Sequence, residues 1–144
     1  MPYCTQEDIE KDLDPATVIQ LTDDSETGEV DTDNLATAIA KADTLIDGFL
    51  GGLGKTLPLD PVPNLIKQLS VDLSIWALLG RKAVGENTKM ASDLYSKAIA
   101  LLEKIQSGKI RLGISGADEI GPGEYRTDKL STDRLFSKTI LDKF

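Results

Sequence analysis

Carboxylates and one thiol are the side chains in this sequence that have the potential for chemistry. The 144 residues include 24 acidic side chains and a single cysteine, Cys4, but no histidine. Without an imidazole base, the Ser-His and Cys-His nucleophile systems are excluded. Acidic pairs such as Asp23-Asp24 lie in a hydrophilic stretch, where no burial would raise a carboxyl pKa. The sequence therefore predicts no catalytic residue, no cofactor and no enzyme activity.

Cys4 is interpreted as a small, partly buried residue. It lies close to a helix start, which can lower a thiol pKa, but the surrounding acidic residues oppose that effect. A single cysteine also excludes an internal disulfide and fits a reducing cytoplasm.

The segment from Gly51 to Thr56 ends in Gly-Lys-Thr, as phosphate-binding loops do. Such a loop also needs a glycine five positions before the Gly of Gly-Lys-Thr, and that position is Phe49. It further needs a strand before it and a helix after it. Here a helical pattern precedes and Leu57-Pro58 follows, so nucleotide binding is not favoured.

The segment from Asp23 to Asn34 resembles a calcium-binding loop more closely. Oxygen-bearing side chains fall near several ligand positions, and Gly28 falls at the sixth, where an EF-hand has its glycine. Position twelve, however, is Asn34, where a bidentate glutamate is required. We therefore predict no metal site, and keep a calcium-responsive binding module as the alternative function.

Two amphipathic helices, joined by a bend rich in glycine and proline, lie between Asn34 and Leu79. Their apolar residues recur at spacings of three and four, which places them on one face of each helix. These residues are Leu35, Ile39, Ala42, Ile46 and Phe49 in the first helix, and Leu65, Leu69, Leu73, Trp76 and Leu79 in the second.

Other signals predict three more helices. A short helix capped by Thr5 runs through Leu13, and Asp14-Pro15 begins another. Residues 22–33 are predicted to be a loop. After a break over 83–87, Asn87 or Thr88 caps a third long helix, which Ser107-Gly108 ends. The fold class is therefore all-α, a small bundle of three long and one or two short helices over residues 1–108.

Residues 109–144 are predicted to be a glycine-rich linker followed by a C-terminal docking arm. The alternation of polar and apolar residues over 109–114 favours a short strand. The apolar residues of the arm form the predicted assembly interface: Leu130, Leu135, Phe136, Ile140, Leu141 and Phe144.

The net charge of −8 is unevenly distributed along the chain. Residues 1–34 carry 11 acidic side chains and one basic side chain. Because binding to a phosphate backbone requires clustered Lys and Arg, binding to nucleic-acid backbones is not favoured. Asp23, Asp24, Glu26 and Glu29 form a candidate acidic surface, which is either simply solvated or repels passing DNA. No apolar run approaches the roughly 20 residues that span a bilayer, and no secretory signal is visible.

Several short motifs, in order, resemble the Mu-like prophage head–tail adaptor family. They are Tyr3-Cys4-Thr5, Leu21-Thr22-Asp23, Ala42 with Ile46-Asp47-Gly48-Phe49-Leu50, Leu57-Pro58-Leu59, Val62-Pro63 and Arg134-Leu135-Phe136-Ser137-Lys138 with Phe144. The resemblance covers most of the chain and is weakest over 106–125. One departure lies between Gly51 and Thr56, where the family pattern has an Arg-aromatic pair.

The resemblance implies a structural protein of the phage neck. Such an adaptor forms a ring, expected to be twelve-fold, between the portal protein and a tail-side connector or tail completion protein. DNA passes through its channel in non-specific proximity. The expected location is the virion, with the host cytoplasm during assembly, and no membrane partner is implied. The alternative is a stand-alone helical binding module, calcium-responsive through residues 23–34.

Overall fold

Five α-helices make up the described part of the chain, and they confirm the all-α prediction. A computed structural model describes residues 1–54, 56–82 and 86–113, except for the side chains of Glu86 and Asn87. The helices are α1 (Gln6–Asp12), α2 (Pro15–Thr22), α3 (Thr32–Leu50), α4 (Asn64–Arg81) and α5 (Glu86–Gln106). A 3₁₀ turn over Gly51–Leu53 follows α3 directly. Three helices are long and two are short, as predicted.

Helix α4 is the central element of the bundle. It packs against α3 and α5 along its length, and α1 and α2 also contact it. Its buried residues therefore occupy most of its circumference: Ile66, Leu69, Ser70, Val71, Leu73, Ser74, Ile75, Ala77, Leu78 and Leu79. Residues Met1–Ile114 belong to one compact unit. The predicted division into 1–108 and 109–144 stays a prediction, because most of the second segment lies outside the described residues.

The two short helices begin at the predicted caps. Thr5 and Asp8 form a capping box, in which the Asp8 carboxylate accepts from the Thr5 backbone N–H at 3.1 Å. The same carboxylate also accepts from the Thr5 hydroxyl at 2.8 Å. Pro15 occupies the first turn of α2, and the Asp14 side chain accepts from the Ala16 N–H at 3.2 Å. Both starts are determined within a few residues of sequence, so a local pattern is sufficient to predict them.

Asp8 also ties α1 to α4. Only 8% of its side chain is exposed, and its Oδ1 lies 2.9 Å from Lys67 Nζ and 3.0 Å from Lys11 Nζ. The hydrogen bonds from Lys67, Thr5 and Lys11 hold the pKa of the Asp8 carboxyl well below its usual range, since each favours the charged form.

Helix α3 begins two residues before the predicted start at Asn34. The Asp31 side chain accepts from the N–H groups of Asp33 and Asn34, both at 3.0 Å, and so caps a helix that starts at Thr32. The loop is shorter than the predicted 22–33 at both ends, because Thr22 belongs to α2 and Thr32 already belongs to α3.

The predicted start of α5 was wrong. The helix begins at Glu86, so Asn87 and Thr88 lie within its first turn rather than capping it. Glutamate is a good helix former, so the helix begins before the two polar residues that are predicted to cap it.

The end of α5 agrees with the prediction. Gly108 adopts a left-handed φ of 73°. Its N–H donates to the Ile105 carbonyl (3.0 Å), and the Lys109 N–H donates to the Lys104 carbonyl (2.9 Å). This pair of bonds is the Schellman arrangement.

The strand predicted over residues 109–114 is absent from Lys109–Gly113, the described part of that segment. The backbone N–H groups of Lys109 and Ile110 both donate to the Lys104 carbonyl, at 2.9 and 3.1 Å. Since these amides cap α5, they are not available to a sheet, while Ile110 and Leu112 pack partly buried against the core. The alternation of polar and apolar residues in this segment therefore reflects packing at the end of α5, not a strand.

The connector between α3 and α4 packs into the core through Leu59. Its Leu57–Pro58 and Asp60–Pro61 peptide bonds are cis. Of the helices described here, none is both long enough and apolar enough to cross a membrane.

Two glycines with different backbone conformations give a matched test of the fold. An alanine Cβ at Gly48, inside α3, would meet no atom within 4 Å, so Gly48→Ala should stabilise the protein by about 0.5–1 kcal/mol. At Gly108 the φ of 73° is strained for any L side chain, so Gly108→Ala should destabilise by about 1–2 kcal/mol. Urea denaturation followed by circular dichroism measures both. Equal stabilisation by the two substitutions would contradict a left-handed end of α5.

Candidate functional site

The acidic loop between α2 and α3 brings together the four predicted surface residues Asp23, Asp24, Glu26 and Glu29. Asp23 organises the loop, because its carboxylate accepts from the N–H groups of Gly28 (2.7 Å) and Ser25 (3.0 Å). The hydrogen bond from Gly28 is the largest cause that lowers the pKa of Asp23. Glu26 and Glu29 are exposed.

Asp24 attaches the loop to the end of α4. Its carboxylate pairs with Arg81 Nη2 and lies 3.4 Å from Lys82 Nζ. Lys82 Nζ also donates to the backbone carbonyls of Gln20 (2.7 Å) and Asp23 (2.9 Å). Burial acts to raise the pKa of Asp24, but Lys82 and Arg81 outweigh it and lower the pKa. Arg81 and Lys82, at the C-terminal end of α4, thus partly neutralise the predicted acidic surface.

The geometry of the loop does not support the calcium-responsive alternative. Asn34, at the position that would need a bidentate glutamate, instead donates from Nδ2 to Asp31 Oδ2 (2.8 Å) and Asp24 Oδ2 (3.2 Å). The carboxylates of Asp23 and Asp31 accept from backbone N–H groups of their own segments. Across residues 1–54, 56–82 and 86–113, no group of three or more acidic, histidine or cysteine side chains is placed to hold a metal ion.

The segment from Gly51 to Thr56 follows α3 directly, and all of it except Lys55 belongs to the described residues. The 3₁₀ turn over Gly51–Leu53 follows α3, and Gly54 is left-handed with φ of 67°. The next helix after this turn begins only at Asn64. The arrangement of a strand, a loop and a helix that a phosphate-binding loop requires is not present here.

A buried polar network, which the sequence did not reveal, holds the N-terminal residues between α3, the connector and α4. The Tyr3 hydroxyl donates to Asp47 Oδ1 and accepts from the Leu59 N–H at 3.1 Å. The Tyr3 N–H donates to Asp43 Oδ2 at 3.1 Å. We call this network, with Cys4, Ser70 and Ser74, the N-terminal anchor.

Cys4 and two serines of α4 form the inner part of the anchor. Ser70 Oγ lies 2.7 Å from Asp43 Oδ1 and 3.2 Å from Cys4 Sγ. Because a hydroxyl has one hydrogen, Ser70 donates to the carboxylate and is free to accept from the thiol. Ser74 Oγ donates to the Ser70 carbonyl at 2.6 Å. All three side chains are buried, with Cys4 only 1% exposed.

The electrostatics of the anchor favour structure over reactivity. Burial raises the pKa of the Cys4 thiol, which keeps it protonated and therefore weakly nucleophilic. Burial also raises the pKa of Asp43, although hydrogen bonds from Ser70 and Tyr3 oppose the shift. Cys4 was predicted to be a small, partly buried residue, and the structure buries it more completely than that.

One sequence signal could have revealed the anchor. Asp43 and Asp47 on α3, and Ser70 and Ser74 on α4, each stand four residues apart and so share one face of their helix. Polar pairs of this kind beside an apolar stripe indicate a buried network. Their partners in Tyr3 and Cys4, however, lie 40 to 70 residues away.

The predicted assembly interface belongs to the C-terminal segment of the chain. Its six residues, Leu130, Leu135, Phe136, Ile140, Leu141 and Phe144, lie outside the described residues. Their role in assembly stays a prediction.

The fold and these surfaces define a class of protein: a small all-α body with a buried polar anchor and an acidic loop. Residues 3–127 match the protein family described as Bacteriophage Mu, Gp36. The Mu-like prophage FluMu protein gp36 of Haemophilus influenzae is 33% identical over 94 residues, which are 65% of this chain and 63% of that relative. The match thus spans less than two thirds of the relative. The chain belongs to the Bacteriophage Mu Gp36 family and is a Mu-like phage protein.

Removing one hydroxyl tests the N-terminal anchor. Tyr3→Phe leaves the Leu59 N–H and the Asp47 carboxylate without their partner, so we expect a loss of about 1–3 kcal/mol in the free energy of unfolding. The matched control is Tyr95→Phe, since Tyr95 lies at the surface, where the change should stay within about 0.5 kcal/mol. Urea denaturation measures both. Equal, small effects would show that the Tyr3 hydroxyl does not stabilise the fold.

Comparing the wild type with Tyr3→Phe at several pH values gives a second test of the anchor. Burial, with the hydrogen bond to Asp47, raises the pKa of Tyr3 from 10.0 to about 12. Between these values the folded state binds more protons than the unfolded state, so stability falls as pH rises. The stability advantage of the wild type over Tyr3→Phe should be full below pH 10 and shrink as the pH rises towards 12. An advantage that does not change with pH would contradict the shift.

Proposed function

We propose that this protein is a structural component of the phage neck, an adaptor that forms a ring between the portal and the tail. The observation that carries the proposal is membership of the Bacteriophage Mu Gp36 family over residues 3–127. Some of the residues that carry the resemblance lie in the helices: Leu21 and Thr22 in α2, and Ala42 and Ile46–Leu50 in α3. In the proposal the tail-side partner is a connector or a tail completion protein.

The described helices supply a preorganised body for such a ring. The N-terminal anchor and the Asp8–Lys67 pair join the N-terminal residues, α1, α3 and α4 through buried or half-buried bonds. A body that is already ordered loses little further entropy when it assembles, so its contacts contribute more fully to affinity. Subunits bind side by side on the portal and present a new surface to the tail-side protein.

The acidic loop suits a surface beside the DNA channel. Glu26 and Glu29 are exposed and charged, and Asp23 is held in its charged form. Such a surface repels phosphate groups and so lets the duplex pass without binding. Arg81 and Lys82 attach the loop to the end of α4 through Asp24. The position of the loop is thus fixed, while the exposed side of the loop remains negative.

The C-terminal segment is the proposed attachment device. Six apolar residues from Leu130 to Phe144 follow a stretch rich in glycine. Repeated around a ring of about twelve subunits, weak contacts of this kind act together and give stable attachment. The assembled protein belongs to the virion neck, and the free subunit to the host cytoplasm.

The test is co-expression with the portal protein, followed by affinity capture and electron microscopy of the complex. The full chain should form rings on the portal. Leu135→Asp with Phe136→Asp should abolish capture, because charged side chains resist burial at an interface. The matched control, Ser131→Asp with Thr132→Asp, adds the same charge to polar positions and should retain capture.

Two outcomes would contradict the proposal. If the full chain never forms rings on its portal, the adaptor role is wrong. If rings form and both double variants attach equally well, the apolar residues of the arm are not the attachment device. Circular dichroism of each variant shows whether the helical body is intact.

A further inference from the structure

A stripe of mixed aromatic and acidic side chains runs along the outer face of α4. Gln68, Asp72 and Trp76 are spaced by four residues and so share one face of the helix. Gln68 Nε2 donates to Asp12 Oδ2 of α1 at 2.7 Å and to Asp72 Oδ1 at 3.3 Å. The Trp76 ring lies 4.7 Å, centroid to centroid, from Tyr95 of α5. We call these five residues the aromatic–acidic stripe.

The stripe is partly exposed to solvent, and the negative charges of Asp12 and Asp72 are not fully neutralised by neighbouring basic residues. Tyr95 is 36% exposed, and Asp72 and Trp76 are only half-buried. Within the described residues, neither Asp12 nor Asp72 belongs to a salt bridge. Burial raises the pKa of Asp72, which Gln68 and the more distant Lys97 only partly offset. A cation placed beside Asp72 would remove this imbalance.

The chemistry of the stripe selects its ligand. The faces of tryptophan and tyrosine attract cations, arginine most often. A guanidinium that lies over Trp76 or Tyr95 can also donate to the Asp72 carboxylate, which is a charge-assisted hydrogen bond. Exposed aromatic residues also bury large apolar area at interfaces. The ligand that fits is therefore a polypeptide segment in which arginine stands beside apolar residues.

This chain itself contains such a segment. Residues 126–144 carry five basic and three acidic side chains, and Arg134 directly precedes Leu135 and Phe136. Residues 1–112, by contrast, carry 18 acidic and 11 basic side chains. Opposite net charges favour association of the two. The residues from Gly113 to Leu130 can span up to about 55 Å when extended, which is enough to reach an adjacent subunit.

We propose that the aromatic–acidic stripe of one subunit binds Arg134 and the neighbouring apolar residues from the C-terminal segment of the next subunit. The inference rests on the proposed ring, because a ring places a second copy beside each subunit. Two different surfaces then meet at every contact, and a heterologous contact of this type closes into a ring when its rotation allows. Arg134 pairs with Asp72 and stacks on the aromatic rings, while Leu135 and Phe136 bury apolar surface beside them.

The experiment adds a synthetic peptide of residues 126–144 to the full-length protein. Trp76 is the single tryptophan of the chain, and the peptide contains neither tryptophan nor tyrosine, so emission excited at the red edge reports on the stripe. We expect a saturable change in Trp76 emission below about 1 mM peptide. Asp72→Asn in the protein, and Arg134→Gln in the peptide, should each weaken binding about tenfold.

Matched variants separate this site from general charge attraction. Glu29→Gln removes one exposed carboxylate from the acidic loop and should leave the affinity unchanged. Tyr95→Ala should weaken binding, and Tyr95→Phe should restore it, because the ring rather than the hydroxyl forms the contact. Combining Asp72→Asn with Arg134→Gln should cost little more than either change alone, since the two groups are partners.

Three results would overturn the inference: no saturable response, equal losses with Glu29→Gln and Asp72→Asn, or fully additive losses for Asp72→Asn and Arg134→Gln. If Asp72→Asn does not fold, the Arg134→Gln peptide still decides the outcome with the wild-type protein. Capture of the full chain by the portal is a separate measurement, so failure of the stripe and failure of the adaptor role are distinguishable.

Discussion

The rest of the structure depends on two carboxylates of α3, Asp43 and Asp47, and on the N-terminal residues that they hold. Burying a carboxylate is costly unless hydrogen bonds replace its water. Tyr3 supplies its backbone N–H to Asp43 and its hydroxyl to Asp47, and Ser70 supplies a second donor to Asp43. Within the described residues, no buried side-chain nitrogen or oxygen lacks a hydrogen-bond partner. Because such a network stabilises only when complete, it permits a single relative position of α3, α4 and the connector.

The sequence predicted the elements well wherever the determining residues are close together. The capping box of Thr5 and Asp8 is complete within four residues. Gly108 adopts its left-handed φ directly at the end of α5, where glycine is the expected residue. The predictions were wrong where neighbouring signals compete. Glu86 extends α5 past two apparent caps, and the amides of residues 109 and 110 complete that helix instead of entering a sheet.

The site was less predictable, for a different physical reason. The anchor joins residues that are up to 70 positions apart, and no local pattern specifies which helix face a distant tyrosine will meet. The role of the acidic loop as a surface stays a prediction, and its attachment depends on Arg81 and Lys82, which follow it by more than fifty residues. A run of acidic residues in the sequence indicates that its carboxylates are exposed. The basic residues that pair with them follow only from the packing of α2 against α4.

Two half-buried carboxylates, Asp43 and Asp72, have different roles. Asp43 belongs to the structural part of the molecule, and Asp72 to the part proposed for recognition. Asp43 has donors from two segments of its own chain, so its role is complete within the subunit. Asp72 accepts from Gln68 alone among the described side chains and lies beside two aromatic rings that are partly open to solvent. A polar group whose bonding is incomplete in the isolated subunit gains most when a partner supplies the missing charge. In the proposed assembly, the binding free energy comes from the outer face of α4, while the anchor on the inner face keeps the body unchanged.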